Sequence, residues 1–182
     1  MGTEADFERK AYAIGTHLAN NNIKLIYGGG QVGLMGAVAN GALHAGGEVI
    51  GVIPHFLNSK EIGHTGVTEL ITVESMHQRK TLMSELSDAF IALPGGFGTM
   101  EELFEIITWG QLGLHQKPVG LLNLNGFYNH LIEFISHMVH TGLLKKENQE
   151  MLVIGNDIEE LLFKMENYEP PTVRKWISIT KT

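Results

Sequence analysis

Cysteine is absent from the 182 residues, which excludes disulfide scaffolds, thiolate zinc sites and cysteine nucleophiles. No apolar run approaches the roughly 20 residues of a membrane span, and nothing resembles a signal peptide. Charge is sparse as well, at 13 basic and 20 acidic residues for a net −7, with no long cluster of Lys or Arg. Broad attraction to nucleic acid or to an anionic membrane is therefore not expected. A small anionic ligand stays open, because a pocket of backbone N–H groups and one or two cations suffices to hold it. A cytoplasmic enzyme or binding module is the natural class.

What is present is a hydrophobic content of 43%, enough for a sizeable core in one domain spanning residues 1–182. Residues 6–21 read as a helix with Asp6 as candidate N-cap. Short apolar runs follow at 23–27, 48–54, 68–73, 89–94, 118–123 and 151–155, and helical patterns lie between them near 33–45, 75–87, 98–113, 127–141 and 156–166. Strands apolar on both faces and separated by helices predict an α/β fold: a doubly wound, Rossmann-like parallel sheet with helices on both faces. Ligands of such sheets bind at the carboxyl ends of the strands. The helical core is predicted over about 5–166, and the tail 167–182 leaves the pattern at Pro170-Pro171.

Three segments could carry chemistry. In YGGGQVGLMG (27–36) a strand runs through Gly28, Gly29 and Gly30 into a helix near Gly33, which offers bare N–H groups to a phosphate. The same glycines satisfy G-x-G-x-x-G, so a nicotinamide dinucleotide site is a rival. That rival expects an acid near the end of the next strand, where this chain has Ile53-Pro54-His55. A turn needed only for helix–sheet packing is the bland alternative.

In LPGGFGTMEE (93–102), Gly95, Gly96 and Gly98 can wrap an oxyanion with backbone donors, and the Thr99 hydroxyl can add a bond. Glu101 and Glu102 are expected in the first helical turn. A structural alternative competes, since Thr99-x-x-Glu102 has the spacing of a capping box. In ESMHQRK (74–80), Ser75-x-x-Gln78 could cap a helix that carries Arg79 and Lys80 about one turn in. Cations beside a helix N-terminus oppose its dipole unless an anion lies between, which favours a ligand role for Arg79. Met76 and Met100 lie close enough to these turns to line a base pocket.

The nine histidines raise the question of metal, and His130, His137 and His140 could share a helix face. No carboxylate stands beside them at a ligand spacing, so no metal is expected. Phe104, Trp109 and Phe134 read as core or interface packing.

With PGGFGTMEE (94–102) and MHQRK (76–80), the chain resembles the LOG family, the cytokinin riboside 5′-monophosphate phosphoribohydrolases, often mislabelled lysine decarboxylases. The family signature PGGxGTxxE is met by Pro94, Gly95, Gly96, Gly98, Thr99 and Glu102, and its M-x-x-R-K by Met76, Arg79 and Lys80. The turn at 27–36 and the segment ITWGQLGLHQKPVGLLN (107–123) match as well, and the similarity covers about residues 5–165.

That resemblance implies a hydrolase that cuts the N-glycosidic bond of an adenine-type nucleoside 5′-monophosphate and needs no cofactor. It implies a homodimer with Arg79 and Glu102 catalytic. Lys80, Gly96, Phe97, Gly98, Thr99, Met100 and Glu101 would surround the nucleotide, with Glu61 and Thr108 as further contacts. Family members normally begin with a strand ending in a Gly-Ser-Ser loop. The sequence starts after that point, so an upstream strand is expected. The other readings are a non-catalytic nucleotide or cofactor carrier of Rossmann-like fold, then a dinucleotide oxidoreductase. Last comes a pyridoxal-phosphate decarboxylase, for which no lysine has a recognisable setting.

Overall fold

The computed structural model describes residues 5–58 and 63–171. The chain forms two compact units divided between Ser87 and Asp88. In the first, α1 (Ala5–Asn20) leads to β1 (Leu25–Tyr27), α2 (Gly33–His44), β2 (Val49–Pro54), a short α3 (His55–Asn58), β3 (Glu69–Val73) and α4 (Met76–Leu86). The strands pair in parallel in the order β1-β2-β3. Each residue of β2, VIGVIP, is buried, as a central strand covered on both faces requires.

Helices α1 and α2 pack with their backbones nearly touching. A Cβ on Gly15 would come within 2.0 Å of the Val38 carbonyl oxygen, and one on Gly41 within 2.0 Å of that of Tyr12. Only glycine permits that approach. The Thr16 hydroxyl lies 3.2 Å from the carbonyls of both Tyr12 and Gly41, tying the helices across the seam.

The second unit contains β4 (Phe90–Ala92), α5 (Phe97–Gln111), β5 (Val119–Leu122), a 3-10 turn (Leu124–Gly126), α6 (Asn129–His140), α7 (Lys146–Gln149), β6 (Leu152–Gly155) and α8 (Ile158–Glu166). Its sheet is again parallel, in the order β4-β5-β6. Leu103, Val119, Leu121, Tyr128, Ile135 and Leu152 form its core. The architecture is α/β, with parallel sheets and helices on both sides, as the strand–helix alternation predicts.

Each predicted strand and long helix is present, with ends shifted by no more than about two residues. The short helices α3 and α7 and the 3-10 turn were not predicted, because segments of three or four residues carry no helical period. Among the described residues no helix is long and apolar enough to cross a membrane.

Candidate active site

Arg79 is the most informative side chain of the first unit. It lies in α4, whose N-terminus is built as the sequence predicts. The Ser75 hydroxyl accepts from the Gln78 N–H at 3.1 Å, while the Gln78 side chain reaches back to the Glu74 N–H at 2.8 Å. Capping in this way fixes where the first turn begins and hence where Arg79 points.

Its side chain turns inward and is only 8% exposed. Nε donates to the Val52 carbonyl of β2 at 3.2 Å, and Nη1 lies 3.9 Å from the Met76 sulfur. The guanidinium also rests on the glycine turn, since a Cβ on Gly28 would come within 1.8 Å of Nη2. The structure thus brings together two of the three segments singled out in the sequence. Arg79 is thus not a solvated surface charge.

The turn itself is shaped by its glycines. Gly29 and Gly33 have φ of +74° and +65°, a region that L side chains rarely adopt. Gly30 bridges Gly63 antiparallel, and the Gly29 carbonyl accepts from the His64 N–H at 2.8 Å. Helix α2 then begins after Val32, which supplies no side-chain cap among the described residues. Its first N–H groups therefore receive no bond from the side chain of the N-cap residue. Beside this N-terminus a groove of about 560 Å³ runs between α1 and α2, bordered by Arg9, Tyr12, Gln31, Asn40 and His44.

In the second unit, α5 starts at Phe97, one residue before the predicted bound and two before Thr99. Its N-cap is Gly96, so Thr99 is the third helical residue and Glu102 the sixth. The expectation of Glu101 and Glu102 in the first turn is corrected, and with it the reading of Thr99 and Glu102 as a capping box. That box needs its threonine at the N-cap itself. Instead Thr99 folds over the preceding turn, where a Cβ on Gly95 would lie 2.1 Å from its hydroxyl oxygen.

Gly96 and Gly98 differ from Gly95. A Cβ on either would meet nothing within 4 Å, and neither has a positive φ. Packing of the described residues does not explain them. Phe97 stands between them, 96% exposed. Glu101, Phe104 and Thr108 continue this exposed face, with Glu102 half-buried alongside.

Thr108 is not gathered at the turn. It lies about 16 Å along the helix from Phe97, and its hydroxyl donates to the Phe104 carbonyl at 2.6 Å. Lys80 and Met100 are half-buried. Glu61 lies outside the described residues. Among those described, no group of three or more histidine or carboxylate side chains is gathered as metal ligands would be.

Tyr128 and Asn123 went unnoticed in the sequence. The Tyr128 hydroxyl donates to the Leu93 carbonyl at the entrance to the signature turn. The Asn123 side chain accepts from the Tyr128 N–H at 2.7 Å. Burial pushes the Tyr128 phenol from its usual value near 10 up to about 12, because the phenolate would lose water on becoming charged. A lone tyrosine and a lone asparagine carry no sequence signal for such a role.

Comparison with known proteins agrees with the motifs. A family model described as "possible lysine decarboxylase" matches residues 35–165. The cytokinin riboside 5′-monophosphate phosphoribohydrolase LOG1 of Arabidopsis thaliana is 47% identical over 93% of this chain and 79% of its own length. Its paralogue LOG3 is 48% identical with the same coverage. The chain belongs to the LOG family. A LOG-like relative of Oryza sativa subsp. japonica is 47% identical over 93% of the chain.

Among solved structures, the molybdenum cofactor binding protein of Rippkaea orientalis superposes with a TM-score of 0.67 at 23% identity, covering 90% of this chain and 88% of that one. The molybdenum cofactor carrier protein of Chlamydomonas reinhardtii gives 0.67 at 21% identity, with coverage of 91% and 89%. At that identity the likeness concerns the fold, which the LOG-family chain shares with these two proteins.

Proposed function

We propose that the chain hydrolyses the N-glycosidic bond of adenine-type nucleoside 5′-monophosphates, cytokinin riboside monophosphates or AMP, to free base and ribose 5-phosphate. The carrying observation is the buried Arg79 guanidinium seated on a glycine turn beside an uncapped helix N-terminus. Cation and bare N–H groups together suit a phosphate-bearing ligand. The LOG relatives supply the reaction, and their identity of 46–48% extends over 93% of the chain.

In this proposal Gly28, Gly29, Gly30 and Gly33 hold the 5′-phosphate, and Arg79 orients the sugar phosphate. Lys80, Gly95, Gly96, Phe97, Gly98, Thr99, Met100, Glu101 and Met76 surround the nucleotide, with Glu61 and Thr108 as outer contacts. Cleavage passes through an oxocarbenium-like ribosyl cation, as in glycoside hydrolysis. Glu102 takes a proton from water as the hydroxide adds to C1′, and its negative charge favours the cation. The C1′–N bond breaks with its electron pair leaving on the base nitrogen, and the proton that Glu102 took from water passes to the base, restoring the carboxylate. Phosphate binding, remote from that bond, positions the sugar. In this reading residues 1–182 work as a single domain.

A cytoplasmic homodimer completes the proposal, supported by the exposed Phe97, Phe104, Phe134 and Leu143 of the second unit, apolar surface that a second copy can cover. The deciding experiment incubates the folded protein with AMP and with an N6-prenylated AMP and assays ribose 5-phosphate. Release from at least one is expected. Release from neither overturns the proposal, and AMP binding without product turns the chain into a carrier.

A further inference from the structure

We infer that His64, outside every motif above, is a positioning residue that sets the glycine turn for its phosphate; this rests on the turn being the phosphate cradle. His64 is 9% exposed and both ring nitrogens are used. Nδ1 lies 3.1 Å from the Gly66 backbone nitrogen, and Nε2 lies 3.0 Å from Asn40 Oδ1. A backbone N–H can only donate, so Nδ1 accepts and the ring proton sits on Nε2, which donates to Asn40. The imidazole is thereby fixed as one neutral tautomer with one orientation.

Both ends of this small network lead to the turn. The backbone N–H of His64 holds the Gly29 carbonyl at 2.8 Å, and the adjoining Gly63 bridges Gly30. Asn40 belongs to α2, about two helical turns beyond Gly33. Backbone and ring of His64 together therefore couple the carbonyl side of the turn to the helix whose N-terminus presents its donors. Gly29, at φ +74°, is free to adopt other backbone conformations as well, so the bond to its carbonyl favours this one. A histidine serving only the core would fill space. This one bonds Asn40 of α2 through Nε2 and its own loop through Nδ1, while its backbone N–H holds the Gly29 carbonyl of the turn.

The test compares His64→Phe, Asn40→Leu and Asn40→Asp with the wild-type protein. Michaelis constants for AMP and inhibition constants for the products ribose 5-phosphate and adenine are measured, with thermal melts to verify folding. His64→Phe and Asn40→Leu are expected to raise the AMP KM and the ribose 5-phosphate Ki about tenfold, with kcat within about twofold and adenine inhibition unmoved. Asn40→Asp keeps an acceptor for Nε2 and is expected to stay within about threefold of wild type.

Folded variants that retain wild-type affinity for ribose 5-phosphate, or lose adenine affinity equally, overturn the role. If His64→Phe fails to fold, Asn40→Leu decides. A wild-type protein that binds ribose 5-phosphate but releases none from either nucleotide overturns the enzymatic proposal alone. The same variants are then compared by calorimetric binding of ribose 5-phosphate.

Discussion

Gly28 and Arg79 form a matched pair: the missing side chain of one is the space the other fills, with Nη2 only 1.8 Å from where a Cβ would stand. Gly28→Ala therefore displaces the guanidinium. Because the obstructing atoms are the far end of a flexible side chain, the fold should survive, losing about 1–3 kcal/mol from the disturbed bond to Val52. Turnover of AMP should fall about 100-fold from misplacement of the arginine. Gly36→Ala gives the contrast, since its Cβ would meet the Gln31 carbonyl oxygen at 2.0 Å. Backbone cannot swing aside, so this variant should melt far earlier. Wild-type kcat/KM in a folded Gly28→Ala protein would remove Arg79 from the proposed chemistry.

Glu102 occupies the sixth position of α5, beyond the reach of an N-cap role. Glu102→Gln should shift unfolding free energy by less than about 0.5 kcal/mol, while lowering kcat at least about 100-fold through loss of the base. A cap would give the reverse pattern, about 1 kcal/mol of stability with activity kept. Parallel denaturant titration and ribose 5-phosphate assay separate the two.

The starting point of α5 also illustrates what a sequence conceals. Thr99 and Glu102 have capping-box spacing, yet Gly96 begins the helix and leaves no side chain by which the start could be recognised. Ser75 and Gln78, at the same spacing, do form the reciprocal bonds, because the serine directly precedes the first helical residue. Strands and long helices were legible from apolar periodicity, and the glycine turns from their composition. The bond between Asn40 and His64 spans 24 residues of sequence, and that from Tyr128 to Leu93 spans 35. No local pattern encodes such pairs; they exist only once the strands have set the spacing of the loops.

Tyr27 ends β1, immediately before the glycine turn, with its hydroxyl buried and lacking a hydrogen-bond partner in the described structure. Burial holds the phenol far above its usual pKa. An unsatisfied buried hydroxyl costs about 1–3 kcal/mol, so Tyr27→Phe should leave stability unchanged or raise it by about 1 kcal/mol. The urea midpoint at neutral pH measures this. A clear loss of stability would mean that the hydroxyl has a partner, such as a buried water.

Tyr128 is the opposite case, because its hydroxyl donates to the Leu93 carbonyl ahead of the signature turn. Tyr128→Phe leaves that carbonyl short of a donor and should cost about 1–3 kcal/mol. The same phenol gives a pH signature. Its folded-state pKa, about 12, lies above the usual value near 10, so the native state keeps the proton that the unfolded chain releases. Its stabilising contribution is complete below pH 10 and declines as pH rises toward 12. Unfolding free energy of the wild type should therefore fall across that window, and more shallowly in Tyr128→Phe. Equal slopes in the two proteins would show that the phenol ionises alike in both states, so that burial does not hold its proton as assigned.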